Sequence, residues 1–186
     1  WRWVGLAMGA AGLLLYLVLG VIGYNASRIE MWHNPWLDPQ GAGYQLRQSL
    51  ITIGSGGLWG VGLGQGRQKY LYLPEEHNDF IFAIVCEELG LIGATVIMLL
   101  FAALILRGFW IALHARDRFG SLMVVGVMTL VGLQTFLNIG VVTGLLPTTG
   151  ISLPFFSYGG TALSIQLAEM GIVLSVSRQM KPTKAG

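Results

Sequence analysis

Glu75, Glu76, His77, Asn78 and Asp79 form an unbroken polar row directly before an apolar run that opens at Phe80. A carboxylate in that position is suited to take a proton from a substrate hydroxyl, because general-base work needs only a side chain within hydrogen-bond reach of that proton. Asn78 or Asp79 would serve equally as the cap of a helix starting at Phe80, since short polar side chains bond its first amides and acids suit its positive end. The two roles are compatible. If residues from Asp79 onward are helical, Glu87 lies about 12 Å further along the axis at 1.5 Å per residue. Paired glycosidase carboxylates stand about 5 to 9.5 Å apart. Asp79 with Glu87 is therefore a poor hydrolase pair, and Glu87 and Glu88 read as hydrogen-bonding to neighbouring spans. His77 is a candidate metal ligand, but one histidine beside acids is weak evidence and a surface histidine is the commoner case.

The elements that must hold these groups follow from composition. Of 186 residues, 54% are hydrophobic and 11% charged, and the mean hydropathy is +0.65, which places the chain among membrane proteins. The single cysteine, Cys86, lies in an apolar run and excludes a disulfide framework within the chain; core packing is its expected use. A net charge of +2 on scattered basic residues gives no nucleic-acid surface. No basic start with a short core and a small-residue cleavage site marks a signal peptide.

A hydrocarbon core of about 30 Å asks for roughly 20 mainly apolar residues per helix. Four segments meet that demand, at 4–24, 80–106, 122–142 and 161–177. Arg107, Arg116 and Arg118 fall in the turn 107–121, and Arg178, Lys181 and Lys184 in the tail 178–186, so the positive-inside rule puts both in the cytoplasm. The long segment 25–79 and the shorter 145–160 then share the external side. Within the long loop, Tyr44, Leu46, Ser49, Leu50 and Ile53 recur at helical spacing and predict a short amphipathic helix at the membrane surface. The glycines from Gly54 to Gly66 that follow lack the strand and helix of a dinucleotide-binding unit and predict a shaped loop instead.

Polar groups also occur at membrane depth: Gln134 and Asn138 on the third span, Ser164, Gln166 and Glu169 on the fourth. Such groups are costly unless paired, and adhesion between helices is their general use. A proton path through Glu169 is the alternative and implies a transporter.

The stretches "DPQGAGYQLRQSLITIGSGGLWGVGLGQGRQKYLYLPEEHNDFIFAIVCEELG" and "LPTTGISLPFFSYGGTAL" resemble the second half of the SEDS family of shape, elongation, division and sporulation proteins, which includes FtsW, RodA and SpoVE. The resemblance covers nearly the whole chain and is nearest the FtsW and SpoVE branch. It implies an all-α polytopic membrane protein, with about four transmembrane helices and a large structured external loop forming the second half of a ten-helix fold. The implied activity is that of a peptidoglycan glycosyltransferase polymerising lipid II in division, shape or sporulation. By the same resemblance Asp79 is the catalytic base. Arg67, Gln68, Lys69, Glu75, His77, Ser157 and Tyr158 are the expected substrate contacts. A divalent cation, Mg or Mn, is implied as cofactor. A class B penicillin-binding protein and other divisome or elongasome proteins are the implied partners in the bacterial cytoplasmic membrane. A lipid-linked precursor flippase and a non-catalytic division scaffold are the alternatives: a flippase requires its essential polar groups at mid-membrane, an enzyme requires them outside.

Overall fold

The computed structural model describes residues 30, 32–37, 43–66, 79–157 and 159–180. The expected span 4–24 lies outside them. Four helices order the described chain: α1 Tyr44–Gly56, α2 Ile81–Leu113, α3 Arg118–Val142 and α4 Gly160–Arg178. No strand occurs among the described residues, and α2, α3 and α4 are each long and apolar enough to cross a membrane.

The helix ends have local causes. Asp117 caps α3, its Oδ2 accepting from the Gly120 amide at 2.8 Å, which satisfies one of the donors a helix start leaves open. Beyond Val142, Gly144 takes a left-handed φ of 75°, and the Leu146 amide returns to the Gly140 carbonyl at 2.9 Å. At the start of α2 the N-cap residue is Phe80, which carries no side-chain cap bond, and Asp79 stands one residue before it. The Asn78 alternative lies outside the described residues.

α2 is bent. Its 33 residues would run about 50 Å if straight, but Gly90 has φ 67° and ψ −171°, a conformation reserved for glycine. In an unbroken helix the Leu91 and Ile92 amides would bond the Glu87 and Glu88 carbonyls. Here the glycine-rich segment after α1 supplies all four partners. Val61 N donates to Glu87 O at 2.9 Å and Gly62 N to Glu88 O at 3.1 Å. Leu91 N donates to Gly57 O at 2.9 Å and Ile92 N to Leu58 O at 3.3 Å. A broken helix in a membrane demands such replacement, because no water is present to satisfy freed backbone groups. The bend separates two environments: Phe82, Ala83, Ile84, Cys86 and Glu87 before it are buried in protein, whereas Leu91, Leu99, Leu100 and Leu106 after it are exposed.

In lipid, helices associate through close packing at small residues. α1 uses this against α2, with Gly56 against the Cys86 carbonyl, where a Cβ would overlap. α1 therefore packs into the bundle and does not lie free on a surface. Its buried residues are Leu46, Gln48, Ser49, Thr52 and Gly56, while Leu50 and Ile51 are exposed. The buried hydroxyls are satisfied, Ser49 Oγ donating to Val142 O and Thr52 Oγ1 to Gln48 O, both at 2.7 Å. Gly108 does the same for α2 and α3, lying directly against the Met128 side chain. Two apolar clusters result. One, at the Asp79 end, gathers Phe80, Phe82, Ile84, Cys86, Phe101, Val142 and Leu153. The other joins Ile111, Val124, Met128 and Val173 at the opposite end.

Candidate functional site

Asp79 stands at the first turn before α2, half-buried, beside a cavity of about 300 Å³. Gln45 of α1, Phe80, Val141 of α3 and Thr148, Gly150 and Ile151 of the loop between α3 and α4 line it with Asp79. Among the described residues Asp79 is the one carboxylate in that lining. The opposite wall comes close because Gly150 has a left-handed φ of 70°, and a Cβ there would sit 3.5 Å from Asp79 Oδ2. The carboxylate thus faces bare backbone, with an amide, a hydroxyl and apolar side chains around it.

Polar residues of α3 and α4 hold this wall. Asn138, 1% exposed, donates through Nδ2 to Asp79 O at 2.7 Å and to Ile151 O at 2.8 Å. Gln166 Oε1 accepts from the Phe155 amide at 2.8 Å. Phe155 has a φ of 65°, rare outside glycine. Both amides reach loop backbone, so for these two residues the expected adhesion between helices is corrected. The reason is that irregular backbone at a helix end has orphan carbonyls and amides to satisfy, which the regular helices do not. Glu87 and Glu88 also face an unexpected neighbour. A Cβ on Gly66 would lie 2.9 Å from Glu87 Oε2 and 3.3 Å from Glu88 Oε1, so these acids meet the glycine-rich segment.

The expected substrate contacts divide. Ser157 is half-buried, its Oγ donating to Leu153 O at 3.0 Å, and it does not line the cavity. Arg67, Gln68, Lys69, Glu75, His77 and Tyr158 lie outside the described residues. Gln45, Thr148 and Gly150 were not anticipated; the short "PTTG" run between span and loop was the available signal for the last two. Among the described residues no three or more His, Cys, Asp or Glu side chains gather in a metal-holding group.

At the far end, Arg107 lies over the Trp110 ring at 4.2 Å and His114 stacks on the same ring at 4.3 Å. This aromatic and cationic step suits a membrane boundary. An apolar groove of about 500 Å³ runs between α2 and α3, lined among others by Met98, Phe101, Ile105, Gly132 and Phe136.

Comparison with known proteins bears on this arrangement. The FtsW/RodA/SpoVE profile of cell cycle proteins matches residues 1–182. The chain belongs to that family. It is 50% identical over 183 residues to stage V sporulation protein E of Bacillus subtilis, covering 92% of this chain and 50% of that protein. It is 49% identical over 180 residues to a probable peptidoglycan glycosyltransferase FtsW of Geobacter metallireducens, covering 97% of this chain and 48% of the relative. Against the peptidoglycan glycosyltransferase MrdB of Escherichia coli the identity is 45% over 184 residues, with 97% and 50% covered. A solved chain from a peptidoglycan synthase complex superposes with a TM-score of 0.72 at 31% identity, covering 98% of this chain and 51% of that one. The chain thus spans about half the length of the FtsW/RodA/SpoVE relatives it matches. Family and helices together make it part of a membrane protein.

Proposed function

We propose that this chain carries the catalytic base of a peptidoglycan glycosyltransferase that polymerises lipid II. The observation that carries the reading is Asp79 in its cavity at one end of the bundle, faced by the backbone of Gly150. In this reaction the Asp79 carboxylate takes the proton of the 4-hydroxyl on the acceptor's N-acetylglucosamine. That oxygen forms a bond to C1 of the donor's N-acetylmuramic acid as the bond from C1 to undecaprenyl diphosphate breaks, turning an α-linked donor into a β-1,4 link. Charge develops on the departing diphosphate, and basic groups aimed at it stabilise the transition state. Arg67 and Lys69, with Gln68 between them, are the residues proposed for that task; Glu75, His77, Ser157 and Tyr158 are proposed to contact the sugars.

The orientation we propose puts the Asp79 end outside the cytoplasmic membrane and Arg107, Arg116, Arg118 and Arg178 inside. A sugar in water and an anchor in lipid then meet at one boundary, and the apolar groove between α2 and α3 has the lining a polyprenyl tail requires. For a divalent cation, Asp79 is the one cavity carboxylate among the described residues, so Mg or Mn would need further oxygen ligands from Glu75 and from substrate phosphate. A class B penicillin-binding protein is the proposed partner; the superposition on a chain of a peptidoglycan synthase complex supports it. Against a transporter that works through Asn138, its amide and that of Gln166 are engaged with loop backbone at the Asp79 end.

The test is lipid II polymerisation in liposomes by the full-length protein that carries this chain, together with its transpeptidase partner. Asp79→Asn at equal folded amount should abolish strand formation while lipid II binding persists. Undiminished polymer from that variant would remove Asp79 from the role of base.

A further inference from the structure

We infer that Asn138 is a positioning residue for this site: its amide group is a clamp that sets the spacing between Asp79 and the wall that faces it. The inference rests on the reading of Asp79 as base and adds a residue that works through it.

Asn138 lies near the end of α3, a regular helix from Arg118 to Val142 that serves as a rigid post. Its two Nδ2 hydrogens go to two carbonyls far apart in the chain, Asp79 O at 2.7 Å and Ile151 O at 2.8 Å. Asp79 precedes α2, and Ile151 lies in irregular chain. Neither is held by a helix ladder of its own. The orientation of the amide is not arbitrary, because turning it over would aim Oδ1 at two carbonyl oxygens and lose both bonds. Among the described residues Oδ1 itself has no hydrogen-bond partner. A buried amide that leaves its acceptor unsatisfied costs stability, and two donor bonds across the site are what Asn138 supplies in return.

The clamp acts on backbone, one bond on each side of the cavity. Asp79 Oδ2 stands 3.5 Å from the place a Gly150 Cβ would occupy, and Ile151 is the next residue. A shift of either carbonyl therefore changes the width of the cavity mouth directly. Orientation effects are steep: a displacement of about 1 Å between reacting groups can cost on the order of 100-fold in rate. Binding of the sugars and tail spreads over many contacts and is much less sensitive to the same shift.

The experiment uses the full-length protein with its partner and compares wild type with Asn138→Leu, an apolar residue of similar size that removes the donor. At equal folded amount, the saturating rate of lipid II polymerisation is expected to fall at least about ten-fold while KM changes by less than about three-fold. Hydrogen exchange supplies a readout that needs no turnover: amides in 79–83 and in 151–153 should both exchange at least roughly ten-fold faster, with 122–131 unchanged. An unchanged saturating rate, a loss confined to KM, or exchange that rises on one side only would each overturn the clamp. If Asn138→Leu does not fold, Asn138→Ser, whose hydroxyl is too short to bridge both carbonyls, carries the same expectations. Failure of the functional reading looks different. Wild type that makes no strands, or Asp79→Asn that makes them normally, removes the base, whereas the exchange pattern still judges the clamp.

Discussion

Replacing Gly90 by alanine puts the bend in α2 under a direct test. The backbone there, φ 67° and ψ −171°, carries about 1–3 kcal/mol of strain for any other residue. The new Cβ would also approach Leu58 O to 2.5 Å and press on the Gly60 amide. The chain has two ways out. It keeps the bend and bears strain and overlap together, or it straightens α2 and gives up the glycine-rich segment. Straightening regains two helical bonds and about 1 kcal/mol of helix propensity. It also strips the Val61 and Gly62 amides and the Gly57 and Leu58 carbonyls of their partners, and as these residues are exposed the loss is about 0.5–1.5 kcal/mol for each bond given up. Keeping the bend costs at least the strain of about 1–3 kcal/mol, which at 1.4 kcal/mol per ten-fold is roughly a five- to 100-fold change in local opening. The assay is hydrogen exchange on the full-length protein in lipid nanodiscs. The Val61 and Gly62 amides, which lose their acceptors if α2 straightens and are strained if it does not, should lose protection by that factor or more, with α3 unaffected. Val61 and Gly62 amides as protected in folded Gly90→Ala as in wild type would refute the account of the bend.

Gly108→Ala drives a methyl into Met128 and should lower stability by about 1–3 kcal/mol; thermal unfolding in detergent should show part of that loss recovered when Met128→Ala is added, because contacting residues couple. Asp117→Ala removes the cap on α3 and should cost about 1 kcal/mol by the same measurement. Gln166→Leu leaves the Phe155 amide without its acceptor in a left-handed turn, a loss of about 1–3 kcal/mol that exchange at Phe155 should report as at least a ten-fold acceleration.

Hydropathy made the long helices legible because apolar length is a property of one segment read alone. Thus 80–106, 122–142 and 161–177 all fall inside observed helices or within a residue of them, although α2 continues to Leu113. The place of Asp79 just before α2 was legible for a related reason: a polar row against an apolar run is visible without knowing any contact. The bend was not. Gly90 sits in a continuous apolar stretch, and what holds it is backbone in a different segment, which leaves no side-chain signature. Asn138 shows the same limit, since its depth marked it as costly while its partners are two carbonyls that every residue type possesses. The face of α1 was misleading, because close approach of helices favours Ser49, Thr52 and Gly56 over Leu50.

The bend also bears on the order in which the chain can be assembled. The segment 57–62 lies upstream of its partners in α2, with only 63–86 between them. During synthesis the glycine-rich segment has therefore already been made when Leu91 and Ile92 are added, and closing so short a stretch carries a modest entropic cost. α2 need never enter the bilayer as a finished straight rod that is later broken. The first turns of α2 and the glycine-rich segment precede α3 in synthesis, and α3 then brings Asn138 to complete the site.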